Sequence, residues 1–212
     1  MNICHIFISI KLTYFYKIIL GDIMFIPTIQ ETTANGEKVF DIYSKLLENR
    51  IIFINGEIND TLSNLIISEL LYLDSINNND IDIYINSPGG SVTSGLAIID
   101  TMNFIKSDVR TTVTGIAASM ASLILASGKK GKRNSLKNSE VMIHQPLGNT
   151  SGQATDIEIQ AKRIIEKKKQ LNKMLAVLTN QPLKKIEKDT ERDKYLTSIE
   201  ALNYGIIDNI IE

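Results

Sequence analysis

Cysteine is the scarcest chemically active residue in this chain, with Cys4 alone. One cysteine cannot close an intrachain disulfide or build a thiolate metal site, and it fits a reducing compartment such as the cytoplasm. Only two histidines occur, His5 and His144, far apart, so a histidine-based metal site is disfavoured and no metal is expected. An excess of either charge is also missing: 23 Lys and Arg stand against 24 Asp and Glu, so nothing points to nucleic acid. The G-x-G-x-x-G and P-loop signatures are absent, which argues against a bound nucleotide, and no other cofactor is expected. The apolar stretch Met1 to Ile23 is interrupted by Lys11 and Lys17 and lacks the basic start and small-residue cleavage site of a secretory signal. It therefore reads as neither a membrane span nor a signal peptide, and no membrane association is expected. What remains is 212 residues, 43% hydrophobic and 22% charged, enough for one ordinary globular domain with a real core.

The chemistry sits in three short stretches: Gly115-Ile116-Ala117-Ala118-Ser119-Met120, Met142-Ile143-His144-Gln145-Pro146 and Glu191-Arg192-Asp193. They supply a serine, a histidine and an aspartate in that order. A serine hydroxyl is a poor nucleophile until a base takes its proton, and that base needs a carboxylate to hold its tautomer. Ser119 follows the β-branched stretch Val109 to Thr114 and precedes the apolar run Met120 to Ala126. This predicts a strand, a tight turn and a helix start, where unpaired N–H groups suit a developing oxyanion. On the bare pattern the plainer reading of a serine there is a helix cap, and the turn is not the G-x-S-x-G elbow. His144 ends the strand-like Val141-Met142-Ile143 just before a proline-enforced break; the alternative is a buried histidine hydrogen-bonded at a strand end. Asp193 alone is a weak signal, because Glu187 to Lys194 is mostly charged and reads as a solvated loop. A fourth stretch, Asn86-Ser87-Pro88-Gly89-Gly90-Ser91, is a glycine turn between a strand and a helix whose N–H groups suit half of an oxyanion hole; the plainer reading is an ordinary turn.

Together these stretches, with Phe40-Asp41-Ile42-Tyr43-Ser44, Tyr84-Ile85, Leu147-Gly148, Gly152-Gln153-Ala154-Thr155-Asp156-Ile157-Glu158-Ile159 and Asp189-Thr190, resemble the proteolytic subunit family of the Clp protease. The resemblance runs from about Met24 to the C-terminus. It implies Ser119 as nucleophile, His144 as base, Asp193 as orienting carboxylate, and the N–H groups of Gly90 and Met120 as oxyanion hole. It implies an α/β, crotonase-like spiral of ββα units with a protruding strand-helix handle at about 147–178 and axial pore loops at about 27–38. It also implies a homo-oligomer of two stacked heptameric rings, with Glu191 and Arg192 at the contact between rings. A Clp-type AAA+ ATPase, ClpX- or ClpA-like, would consume ATP and feed in unfolded polypeptide, docking at a cleft that includes Tyr84 and Phe104. Three positions depart from the family pattern: Thr114, Lys137 and Asp82, the last standing where an apolar docking cleft often has a tyrosine.

Hydrophobic spacing predicts strands at Ile51–Ile54, Ile81–Ile85, Val109–Thr114 and Val141–Ile143, with helices from Asp60 to about Ser75 and from Val92 to Ile105. The first helix has Leu62, Leu65, Ile66, Leu70 and Leu73 spaced for one face. A long helix from about Ala154 to Leu178 is expected to bury Ile157, Ala161, Ile164, Leu171, Met174, Leu175 and Leu178. Thr197 and Glu200 form a capping box, with Gly205 closing that helix. Alternating βα units imply a mainly parallel sheet. Residues 1–23 read as an N-terminal extension, either a pro-segment or a mis-assigned start preceding Met24, with the peptidase domain at 24–212. Three rivals remain: an acyl-CoA enzyme on the same fold, a non-catalytic ring paralogue, and a membrane-embedded serine peptidase of the same clan.

Overall fold

The computed structural model describes residues 10–19, 22–33 and 36–212 of the chain. The length alone suggests one domain, but the chain divides into two compact units, Met1–Ile51 and Ile52–Glu212. The first divides off because its strands pair with one another. Strand β1 (Ile10–Ile19) pairs antiparallel with β2 (Asp22–Thr33), from Ile19 opposite Asp22 to Ile10 opposite Glu31. Strand β3 (Gly36–Asp41) returns along β2, with Thr33 opposite Gly36. The expected axial loop runs through this β2–β3 hairpin, and residues 34–35 at its tip lie outside the described residues. Of the expected extension, residues 1–9 and 20–21 also lie outside them, while 10–19 form β1. Asp41 caps α1 (Ile42–Glu48) by accepting the Ser44 N–H.

The larger unit carries the expected alternation. It contains β4 (Ile51–Asn55), α2 (Asp60–Ile76), β5 (Ile81–Ser87), α3 (Val92–Phe104), β6 (Val109–Ala118), α4 (Met120–Ala126) and β7 (Arg133–Leu136). There follow β8 (Glu140–Ile143), α5 (Ala154–Thr179), α6 (Leu183–Asp189), β9 (Lys194–Thr197), α7 (Ser198–Tyr204) and β10 (Asn209–Ile211). The sheet order is β10-β7-β6-β5-β4, with β8 joining β6 and β9 joining β8. The β5–β6, β6–β7, β6–β8 and β7–β10 pairs are parallel, and β8–β9 is antiparallel. On β5, Ile81, Ile83 and Ile85 are fully buried on alternate positions, and Ile52 and Ile54 do the same on β4. Burial of each such side chain stabilises the fold by roughly 1.5–3 kcal/mol. Helix α4 is buried at every residue, as a short helix with an apolar surface all round must be.

Two amphipathic expectations need correction. On α2 the buried residues are Ser63, Ile66, Leu70 and Leu73, while Leu65 is 53% exposed. The stripe follows 3.6-residue spacing through Ser63 and not Leu65, because Ser63 finds a partner inside by donating to the Ser94 carbonyl. On α5 only the second half is buried, at Leu171, Asn172, Leu175 and Thr179; Ile157 and Ala161 are exposed and Ile164 half-buried. The first half of α5 therefore projects from the unit, as the expected handle requires. The capping box at Thr197 and Glu200 is present, with Gly205 in the left-handed region at φ 89°.

Candidate active site

Strand β6 does not stop at Thr114. Its register against β5 changes from Ile85 opposite Val113 to Ser87 opposite Ala117, so β6 carries two extra residues and a bulge. Gly115 sits in that bulge at φ 112°, where a Cβ would lie 2.7 Å from the Asn86 side-chain oxygen. Beyond the bulge β6 changes partner on one edge, from β7 at Thr111–Val113 to β8 at Ile116–Ala118. The expected turn at Gly115–Ala118 is thus more strand, and the whole reversal falls on one residue, Ser119.

Ser119 adopts φ 54°, ψ −120° between β6 and α4. A side chain at such angles costs on the order of 1–3 kcal/mol and persists only where its surroundings dictate it. Here the Ser119 N–H donates to the Met142 carbonyl at 2.8 Å, and the Ser122 hydroxyl donates to the Ser119 carbonyl at 2.6 Å. The Ser119 side chain makes no capping bond to α4. Its Oγ lies 2.8 Å from His144 Nε2, which removes the helix-cap alternative.

The register of three strands delivers the other two groups. Ala118 lies opposite Met142, so His144 follows two residues beyond the point where β8 meets the end of β6. Antiparallel β9 places Ile143 opposite Lys194, so His144 and Asp193 leave the paired strands at the same end. His144 Nδ1 is 2.9 Å from Asp193 Oδ1. A carboxylate only accepts, so Nδ1 carries the ring proton and Nε2 is left to accept from the Ser119 hydroxyl. The His144 side chain is 13% exposed and that of Asp193 57%. The segment before Asp193 is tied to the one after His144: the Gln145 N–H donates to the Thr190 carbonyl at 2.7 Å, and its side-chain amide to the Glu191 carbonyl at 2.9 Å.

The glycine turn reaches the same place. A Cβ on Gly89 would lie 2.6 Å from the Ala118 carbonyl oxygen and 2.8 Å from Ser119 Cβ, so only glycine lets this backbone touch the serine turn. The turn is clamped by Ile58, whose N–H donates to the Gly89 carbonyl and whose carbonyl accepts from the Ser91 N–H. Both bonds engage the residues flanking Gly90, which turns the Gly90 N–H away from Ile58. Neither the Gly90 N–H nor the Met120 N–H has a backbone acceptor in the turns and caps among the described residues. A cavity beside Ser119 and His144 is lined by Leu123, Leu171, Asn172, Leu175 and Thr190. Asn172 is only 4% exposed and accepts the Thr190 hydroxyl at 3.2 Å, a pairing of α5 with the Asp193 segment that no sequence motif signals.

The remaining expected residues are not members of the Asp193–His144–Ser119 series. Tyr84 stacks on Phe53 with centroids 5.8 Å apart, and Phe104 is 81% exposed at the end of α3. Asp82 pairs with Arg110 at 2.8 Å, next to Asp80, Asp108, Lys129 and Lys132 in one alternating ion-pair network. Glu191 pairs with Lys168 of α5 at 2.9 Å, which holds its carboxyl below the usual range. Arg192 beside it is exposed. Among the described residues no helix is long and apolar enough to cross a membrane. The family model for Clp protease matches residues 34–212, and the parallel α/β sheet with its helices is the crotonase-like fold of that family, so this chain belongs to the Clp protease family of serine peptidases.

Proposed function

We propose that the chain is the proteolytic subunit of an ATP-dependent Clp protease, a serine endopeptidase that cuts unfolded polypeptide to short peptides. The observation that carries this reading is the hydrogen-bonded series Asp193–His144–Ser119. In the reaction, Ser119 Oγ attacks the scissile carbonyl carbon while its proton passes to His144 Nε2. Asp193 holds the resulting imidazolium through Nδ1–H. The oxyanion is received by the N–H groups of Gly90 and Met120. His144 then returns the proton to the leaving amine, and a water activated by the same nitrogen hydrolyses the Ser119 ester. No group outside the chain is needed for these steps, and ATP is spent by the partner ATPase.

Self-assembly is supported by apolar surface that the chain leaves uncovered. Leu65, Leu71, Tyr72 and Ile76 are exposed on α2, and Ile157, Ile159 and Ile165 on the projecting half of α5. In this reading α2 serves contacts within a ring, and α5, with Glu191 and Arg192, serves contacts between two stacked heptamers. Tyr84 and Phe104 serve the ATPase, with Asp82 and its ion-pair network lowering the affinity of an apolar docking loop.

Ser119→Ala tests the reading. The expected result is loss of peptide hydrolysis by a factor on the order of 10⁴ or more in kcat, with oligomer mass unchanged. Residual wild-type turnover in a fluorogenic peptide assay would remove Ser119 from the mechanism.

A further inference from the structure

Beside the catalytic cavity lies a groove of about 280 Å³ whose charge the triad does not use. It shares Val92 and Pro146 with that cavity, so the two adjoin. One wall is the extended segment after His144. The other is a stripe of α5 in which Gln160, Arg163, Ile164 and Lys167 fall at i, i+3, i+4 and i+7, all on one helical face. Gly148 lies so near Ile164 that a Cβ would overlap its side chain, and this contact closes the floor.

Two cations one turn apart, Arg163 and Lys167, line the groove, and none of the described residues lining it is Asp or Glu. Among the described residues neither cation has an ion-pair partner. Lys167 Nζ donates to the uncharged side chain of Gln170 at 2.9 Å, and Arg163 is exposed to solvent. Lys168, the next residue, differs: its charge is met by Glu191 and it does not line the groove. An unmet guanidinium and ammonium over a concave, half-apolar floor form a receptor for a carboxylate, and the guanidinium can engage it through two parallel N–H bonds.

We propose that Arg163 and Lys167 form an acid-accepting subsite, so that the enzyme favours peptides carrying Asp or Glu close to the bond it cuts. The proposal rests on the peptidase reading above. An extended peptide advances about 3.3 Å per residue, so a groove adjoining the nucleophile's cavity is reached by side chains one to three residues from the scissile carbonyl. The site's two cations act on binding and register, and Ser119, His144 and Asp193 act on the bond.

The test uses the full-length oligomer and three matched sets of fluorogenic peptides. They differ only in Glu, Gln or Lys, placed in turn at each of the three positions on either side of the cut. In at least one position the wild type is expected to favour Glu over Lys in kcat/KM by at least about fivefold, the yield of two partly exposed ion pairs. The preference should shrink as salt approaches 1 M, where the Debye length is about 3 Å. The charge-reversed variant Arg163→Glu with Lys167→Glu is expected to invert the order at that same position, and Arg163→Gln with Lys167→Gln to bring it close to one. Inversion by the first variant is something a merely structural role would not produce. An active enzyme with equal kcat/KM for the Glu and Lys sets, or a preference retained in both variants, overturns the subsite alone. If no peptide is cleaved and Ser119 also resists a fluorophosphonate probe, the peptidase reading fails and the subsite falls with it.

Discussion

Ser119 holds the account together as a single residue in a conformation that serine avoids. Its φ of 54° is maintained by the bonds to Met142 and Ser122 and by the close approach of Gly89. Glycine tolerates such angles and alanine does not. Both Ser119→Gly and Ser119→Ala should therefore lose activity, but Ser119→Gly should be the more stable, by about 1 kcal/mol in urea unfolding. Equal stability of the two variants would mean the backbone strain has little energetic weight. Asp193→Asn offers a second residue-scale test. The amide can donate to His144 Nδ1 and favour the wrong tautomer, and kcat should fall about 10⁴-fold with the fold intact. A small loss would make Asp193, which is largely solvent-exposed, a spectator. Part of this site was legible in the sequence: Ser119 was expected at a helix start after a strand and His144 at a strand end, whereas Asp193 read only as part of a charged loop and took its role from the family resemblance. The strain at Ser119 was not, because it arises from a bulge two strands share and from contact with Gly89, 30 positions earlier. The link from Asn172 to Thr190 was equally hidden, since neither residue carries a motif.

Among the elements, strands and helices were read well where apolar periodicity is long, as in α2, β5 and α5. The stripes themselves were misread in two places for one reason. Spacing says which residues share a face, but not whether a neighbour exists to cover it. Leu65 is exposed because buried Ser63 has the Ser94 carbonyl to donate to, and Ile157 because α5 outruns the unit it packs on. The short strands β7, β9 and β10 carry too few residues for a pattern and are fixed by pairing and side-chain anchors. Arg133 is such an anchor. It is 4% exposed, pairs with Asp208 at 2.6 Å and donates to the Leu178 carbonyl at 3.0 Å, joining β7 to the ends of β10 and α5. Arg133→Ala strands a partly buried carboxylate and should destabilise the chain by roughly 3–5 kcal/mol, read as a drop in Tm. A shift under a degree would show that the pair is dispensable. On α2, burial raises the Glu69 carboxyl to about 7. In the unfolded chain it titrates near 4.3, so between about pH 4.3 and 7 the folded state holds the extra proton and stability falls as pH rises. Glu69→Gln should abolish that slope and raise Tm at pH 8, by an amount equivalent to about 1 kcal/mol after discounting for partial exposure. Parallel Tm-against-pH curves for variant and wild type would contradict the assignment.

At the scale of the whole molecule, the proposed assembly couples to the proposed chemistry through three consecutive residues. Glu191 is bonded to Lys168 on the projecting helix, Arg192 points to solvent, and Asp193 orients His144. Whatever stabilises that segment across a ring contact also aligns the triad. Arg192→Ala is therefore expected to give mainly single heptamers with peptidase activity reduced at least tenfold, although no triad residue has changed. Sedimentation velocity and a fluorogenic assay on the same sample read both quantities, and a double ring with wild-type turnover would leave Arg192 a plain surface charge. The sequence pointed to this assembly only through resemblance, because one chain records its uncovered apolar faces but not what covers them.

The most direct test of the central claim is covalent. The intact wild-type protein is treated with a fluorophosphonate, digested, and mapped by mass spectrometry. The expected result is one adduct per chain, on Ser119, lost in Ser119→Ala and slowed by orders of magnitude in His144→Ala. Label on another residue, or no label in an assembled and folded protein, would contradict the assignment of Ser119 as the nucleophile of a serine peptidase.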